Sequence, residues 1–310
     1  MTEAAPTPIT VVKGKEHWTN KGEVRLFLWE KKRIPAAHRG TILFIHGSSM
    51  GSQPTFDLTV PGRSDASVMD WFAMRGFDTW CLDNEGYGRS DKRRPINNDI
   101  SNGADDIVAA TDYIAEQSGV KKVMMYGISS GALKAALFAE RHPERVERVA
   151  LDAFVWTGEG SPTLEHRRKR LPEFIATHRR PINRAFVRSI FERDHPGTAD
   201  DATIEAFADA ILALDDSVPT GTYVDMCSRL PLVDPLKITV PIFVMRGQFD
   251  GIASENDLIE FFKRLPNPDK QFAVMPGIAH ASFQSKNYMI AYQLLHSFFN
   301  QPKLVYGGEH

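Results

Sequence analysis

Apolar residues in this chain fall in short unbroken runs, separated by stretches that repeat at helical spacing. The runs at 41–45 (Thr-Ile-Leu-Phe-Ile), 77–82, 123–128, 146–151, 240–246 and 271–275 have the length and composition of strands buried on both faces. Between them, 66–75, about 101–117, 132–141, about 254–264 and 286–299 carry apolar positions three and four apart and read as helices. Gly76 and Gly119 stop the first two, His142-Pro143 stops the third, and Ser101 or Asn102 is the expected cap of the second. Ahead of these, β-rich segments at 9–13 and 24–30 flank the turn-prone Asn20-Lys21-Gly22 and predict an antiparallel pair. Strands alternating with helices predict an α/β fold, its mostly parallel sheet covered on both faces.

The alternation fails between 156 and 234. That stretch offers no convincing buried strand, only helical segments at 171–178, 182–193 and 202–214 separated by proline-containing turns, and so reads as a helical insertion. The expected organisation is a first core segment at 1–155, an inserted helical unit at 156–235 and a second core segment at 236–310.

Composition narrows the function classes. A length of 310 residues, 42% hydrophobic and 25% charged, suits an ordinary globular protein, and a net charge of -2 gives no reason to expect nucleic acid or an acidic membrane as partner. Two cysteines, Cys81 and Cys227, are too few for a disulfide framework and lack metal-site spacing. Residues 1–10 lack a basic stretch followed by an apolar run, and no window approaches the ~18 apolar residues of a membrane span. Gly86-Tyr87-Gly88 is too short for a dinucleotide fingerprint, no phosphate-binding loop motif occurs, and no histidine pair has zinc-helix spacing. The expectation is a cytoplasmic protein acting on a small molecule, with no cofactor and no metal.

The stretch 123–133 runs an apolar strand into Gly127-Ile128-Ser129-Ser130-Gly131 and on into a helix, the setting in which a serine hydroxyl is held clear of a sheet beside a base. Centring the motif on Ser130 would require glycine where Ile128 and Ala132 stand, so Ser129 is the candidate nucleophile. The base and the acid orienting it should follow in the order acid, then histidine. His280 lies in a loop just past the last predicted strand, where a parallel sheet delivers its active site. Asp250 occupies the loop after the preceding strand and is favoured over Asp152 as the acid that accepts the imidazole Nδ1 proton. For a tetrahedral oxyanion, the expected donors are the amide of Ser130 and that of Ser48, with Ser49 second, while His46 holds the loop by side-chain hydrogen bonds. His166, His178 and His195, within the insertion, read as solvated.

With these residues in view the chain resembles the α/β-hydrolase superfamily. The resemblance is carried by His46-Gly47-Ser48-Ser49, Asp83-Asn84-Glu85-Gly86-Tyr87-Gly88-Arg89-Ser90, the Ser129 motif, Gly247-Gln248-Phe249-Asp250 and Gly277-Ile278-Ala279-His280. It implies an eight-stranded sheet, a cap inserted after the sixth strand, and nucleophile, acid and histidine at Ser129, Asp250 and His280. One departure is Glu85, where many relatives carry proline. A serine nucleophile points to acyl chemistry, whereas the related dehalogenases and epoxide hydrolases need aspartate. Ester hydrolysis leads; amide or lactone hydrolysis, carbon–carbon hydrolysis, acyl transfer and perhydrolysis stay open, as does a binding protein on the same fold.

Residues 165–193 are rich in arginine: Arg167, Arg168, Arg170, Arg179, Arg180, Arg184, Arg188 and Arg193. Most of these should pair with acids of the insertion, but one or two could hold a substrate carboxylate. Ser49, Trp156, Arg170 and Arg180 are the candidate substrate-binding residues, and a half-ester would be a fitting substrate.

Overall fold

The computed structural model describes residues 10–307. Ile9, where the first predicted strand begins, and most of residues 1–10 lie outside the described residues. Eight strands form one sheet: β1 (Val11–Lys21), β2 (Val24–Ile34), β3 (Thr41–Ile45), β4 (Asp78–Leu82), β5 (Val123–Ile128), β6 (Val146–Asp152), then β9 (Ile242–Gly247) and β10 (Lys270–Met275). Their spatial order is β1-β2-β4-β3-β5-β6-β9-β10. Every pairing from β4 to β10 is parallel, and only β2 runs against its two neighbours. This is the α/β-hydrolase fold. No helix among the described residues is long and apolar enough to cross a membrane.

Apolar runs became central strands because both faces are covered. Leu43 and Ile45 of β3 pack with Met125 against α3 (Ile100–Ser118) and α4 (Ser130–Arg141), together with α10 (Glu255–Arg264) farther along the sheet. Ile42, Phe44, Met124 and Tyr126 point the other way, into a second core with α1 (Ser52–Phe56), α2 (Val68–Met74) and α11 (Tyr288–Phe299). Successive side chains of a strand alternate faces, so two cores demand an apolar residue at every position.

Several boundaries differ from the reading of the sequence. The hairpin turns one residue later, at Gly22-Glu23, and its strands are longer than predicted because polar residues on their outer face carry the ladder onward. Asp99, not Ser101 or Asn102, caps α3, its carboxylate accepting the Asn102 amide at 2.9 Å. Gly119 ends that helix in the left-handed conformation at φ 75°.

Between β6 and β9 lie α5 (Pro162–Arg168), α6 (Leu171–Ala176), α7 (Arg184–Glu192), α8 (Asp201–Leu212) and α9 (Gly221–Ser228). The stretch is not wholly helical, since β7 (Arg179–Pro181) and β8 (Ser217–Pro219) form a small antiparallel ribbon. Three residues a side, four of the six charged or proline, leave no periodicity to read. Helices α7 and α8 carry a third core, centred on Val187, Ile190, Phe191, Phe207 and Ile211, which also takes up Tyr87 and Leu58 from the loops above the sheet.

Candidate active site

The site stands on four loops at the C-terminal ends of β3, β5, β9 and β10. At the first turn of α4, Ser129 sits at φ 58° and ψ -123°, a strained conformation for a residue with a side chain, and its amide donates to the Asp152 carbonyl at 2.8 Å. The flanking glycines serve close approach rather than conformational freedom. Neither has positive φ. A methyl group on Gly127 would lie 2.6 Å from the Gly131 carbonyl carbon and 2.8 Å from Ala132 Cα; one on Gly131 would lie 2.6 Å from the His46 carbonyl oxygen. Strand, helix and the loop after β3 can close on one another only without those side chains.

Asp250 and His280 are brought together by their backbones. The Gln248 amide donates to Met275 O and the Phe249 amide to Ile278 O, each at 2.9 Å, so the loops after β9 and β10 are zipped side by side. His280 Nδ1 then donates to both carboxylate oxygens of Asp250 at 3.1 Å, and the amides of Ile252 and Ala253 donate to one of them at 2.8 and 3.1 Å. Burial pushes the Asp250 carboxyl up, but the His280 charge and these donors hold it well below the usual carboxylate range. Asp152 has another partner: the Tyr126 hydroxyl donates to it at 2.6 Å, and burial raises its carboxyl to about 7.

Ser129 and His280 line a common chamber, with Ser48 and Ser49 on its wall. No hydrogen bond joins Ser129 to His280 among the described residues; in ligand-free sites such bonds are often long and tighten around substrate. The amides of Ser48 and Ser130 have no protein acceptor among the described residues. The loop bearing Ser48 is held from behind. His46 Nε2 accepts the Asn84 amide at 3.0 Å, which leaves its Nδ1 to donate to Gly47 O at 2.8 Å. Burial and the charge of Lys134 depress the imidazole far below its ordinary value, so His46 is a neutral brace. Lys134, fully buried on α4, donates to Asn84 Oδ1 at 2.8 Å. Glu85, the departure noted in the sequence, takes Arg94 in a bidentate pair at 2.6 Å and 2.6 Å and Lys21 at 3.1 Å, away from the chamber wall.

The predicted substrate-binding residues divide. Ser49 lines the chamber, and Arg180, buried, donates to Ser48 O at 3.1 Å and Ser49 Oγ at 2.8 Å. Trp156 is not at the site: its indole donates to Val233 O and its ring packs in the core with Phe261. Arg170 is exposed and paired with Glu173 at 2.7 Å, and it lines an outer basin. Arg167 and Arg193, named in the sequence only as part of an arginine excess, and Tyr223, which the sequence reading passed over, line both the chamber and the basin. The sequence reading also passed over Asp194, whose carboxylate comes within 4.8 Å of the ligating atoms of Asp250 and His280. His195 is exposed, as expected, and its ring stacks on Phe249 at 3.9 Å. These residues come from the insert, and only its folding over the loops gives them significance. Asp194, Asp250 and His280 offer three ligand atoms to a cation, but Asp194 is already engaged by Arg193 at 2.7 and 2.9 Å and Asp250 by His280.

The family model described as Hydrolase_4, serine aminopeptidase, S33, matches residues 36–287. No curated protein matches the chain. Among solved structures, a thermophilic esterase from Thermogutta terrifontis with malate bound is similar at TM-score 0.66 and 19% identity, covering 92% of this chain and 97% of that one. Epoxide hydrolase VrEH1 from Vigna radiata is similar at TM-score 0.66 and 15% identity, over 93% of this chain and 97% of that one. The 2-hydroxy-6-oxo-6-phenylhexa-2,4-dienoate hydrolase from Rhodococcus sp. strain RHA1 is similar at 0.64 and 14%, over 94% and 100%. At such identities the likeness speaks for the fold alone.

Proposed function

Since the chain belongs to the Hydrolase_4 family of α/β hydrolases, whose description is serine aminopeptidase, S33, we propose that it is a cofactor-independent serine hydrolase of small carboxylic esters. The observation that carries this reading is the Asp250-His280 pair opening, with the strained Ser129, onto one chamber. In this reading Ser129 Oγ attacks the ester carbonyl as His280 Nε2 takes its proton, and the carbonyl π electrons move onto oxygen. The amides of Ser48 and Ser130 hold that oxyanion. Its collapse breaks the bond to the alkoxy group, which leaves with the proton from His280. Water then attacks the acyl-serine by the same base, giving the acid and restoring Ser129.

The insert acts as the cap of this site, and its charge bears on substrate class. An aminopeptidase must receive an N-terminal ammonium, but the way in is lined by Arg167, Arg180 and Arg193 with Asp194 tied to one of them. Like charge at that point favours an ester over a peptide amine. Cys81 and Cys227, both free and buried, suit a reducing compartment and so a cytoplasmic setting.

A fluorophosphonate label together with p-nitrophenyl esters of increasing chain length tests the reading. Labelling at Ser129 and ester turnover lost in Ser129→Ala are expected. Turnover of a diketone with aryl esters left untouched would move the reading to carbon–carbon hydrolysis, and an unlabelled Ser129 would remove it.

A further inference from the structure

We propose that the neck between chamber and basin is a carboxylate subsite built from Arg167, Arg180 and Tyr223, so that the substrate is an ester bearing a free carboxylate. This rests on the hydrolase reading above and names the substrate class of that same site.

The arginines of the insert fall into two groups. Arg184 pairs with Glu205, Arg188 with Asp201 and Glu205, Arg170 with Glu173, and Arg193 with Asp194. Arg167, Arg168, Arg179 and Arg180 have no carboxylate partner among the described residues, and of these Arg167 and Arg180 line the basin, Arg167 the chamber as well. Arg180 is only 9% exposed; its Nη2 is spent on Ser48 O and Ser49 Oγ, while its Nε is buried with no hydrogen-bond partner. Arg167 makes no side-chain hydrogen bond among the described residues and lies with its guanidinium carbon 4.2 Å from the Tyr223 ring centroid, Arg180's lying at 4.1 Å.

Two cations gathered on one ring, and a third at Arg193, are an unfavourable arrangement in a partly desolvated neck. Burial, with the charges of Arg193 and Arg180, pushes the Arg167 guanidinium down. The π face of Tyr223 offsets part of that cost. An anion would offset more, and a guanidinium's planar fork matches a carboxylate. Position makes the anion part of the substrate. Arg167 and Tyr223 line the chamber that holds Ser129 as well as the basin outside. A carboxylate seated between them leaves the rest of a short molecule to reach inward, toward Ser129 and the partnerless buried hydroxyl of Ser48.

The test compares mono-p-nitrophenyl glutarate with its neutral methyl ester, reading the acid-to-neutral ratio of kcat/KM so that any loss of folded enzyme cancels. The wild type should favour the acid by about tenfold or more, the scale of a charge-assisted bond to an ionised group. Arg167→Gln should lower the ratio by about an order of magnitude, and Arg184→Gln, outside the chamber, should leave it unchanged. A wild-type ratio of one, or a ratio that Arg167→Gln does not move, overturns the subsite. Calorimetric titration of Ser129→Ala with glutarate and with glutaramide separates the two proposals. Preferential glutarate binding by a protein whose Ser129 resists fluorophosphonate leaves the subsite standing and sinks the hydrolase reading. Labelling with no preference for either ligand does the reverse.

Discussion

Tyr126 on β5 donates its hydroxyl to the Asp152 carboxylate on β6 at 2.6 Å, and this bond separates the two acids that could orient His280. Asp250 faces the imidazole with both oxygens; Asp152 faces a phenol. Asp250→Asn is therefore expected to lower kcat by about 10⁴ through loss of the productive tautomer, as in the known triad case. Asp152→Asn should cost less than about tenfold. Steady-state kinetics on an aryl ester, normalised to titratable serine, check both, and the reverse ranking would transfer the role to Asp152.

The burial of Asp152 sets a pH dependence of stability. Burial raises the Asp152 carboxyl to about 7, against about 3.9 for an unfolded aspartate. The folded state thus binds this proton more tightly than the unfolded one. Its contribution is full below pH ~4, is lost as pH rises toward 7, and changes no further above that. Asp152→Asn removes the dependence, so the variant should gain on the wild type by up to ~1.4 kcal/mol per pH unit across that window. Urea unfolding at pH 5 and pH 8 measures it; a difference that does not change with pH would mean Asp152 is ionised in the folded protein.

Close approach, rather than φ, makes the flanking glycines of the elbow necessary. Gly131→Ala would place a methyl group against Ile45 O and His46 O, backbone atoms that cannot swing aside. A loss of roughly 2 kcal/mol or more and a marked fall in kcat are expected. Gly119→Ala, at φ 75° with open space around it, should cost only about 1 kcal/mol and leave kcat alone. Equal stability losses in the two variants would show that the elbow can relax.

Tyr223 links pH to recognition. Burial alone would push its phenol up, but Arg167 and Arg180, with Ser49 and Arg193, bring it down to about 8. Above that pH the phenolate becomes the counter-ion of both guanidiniums and competes with a substrate carboxylate. The KM of an acidic ester should accordingly rise through pH 8 relative to that of its neutral ester, and Tyr223→Phe should abolish the inflection. Taking the ratio cancels any pH dependence common to both esters, and Asp194 is held ionised by Arg193, burial notwithstanding. An inflection that persists in Tyr223→Phe would assign it to another group.

What the sequence determined by itself was whatever depends on local periodicity and on loops that end strands. An apolar residue at every position of 41–45 means a strand with two buried faces wherever it sits, and Gly-x-Ser-x-Gly between strand and helix means a turn too tight for side chains. The order of Ser129, Asp250 and His280 could be read because each lies just past a strand, where a parallel sheet must gather its loops. Tertiary structure decided what depends on which unlike surfaces meet. Whether Asp152 or Asp250 faced the imidazole turned on the phenol of Tyr126, which is unremarkable in the sequence. Ribbon strands of three residues have no period to detect. The arginines were visible as an excess, but Arg170 and Trp156 were chosen where Arg167 and Tyr223 line the neck, because a cation's role depends on whether an acid lies within reach. That is fixed by how α5, α7 and α9 fold over the loops, through contacts between residues about 30 to 130 positions apart that carry no shared local signal.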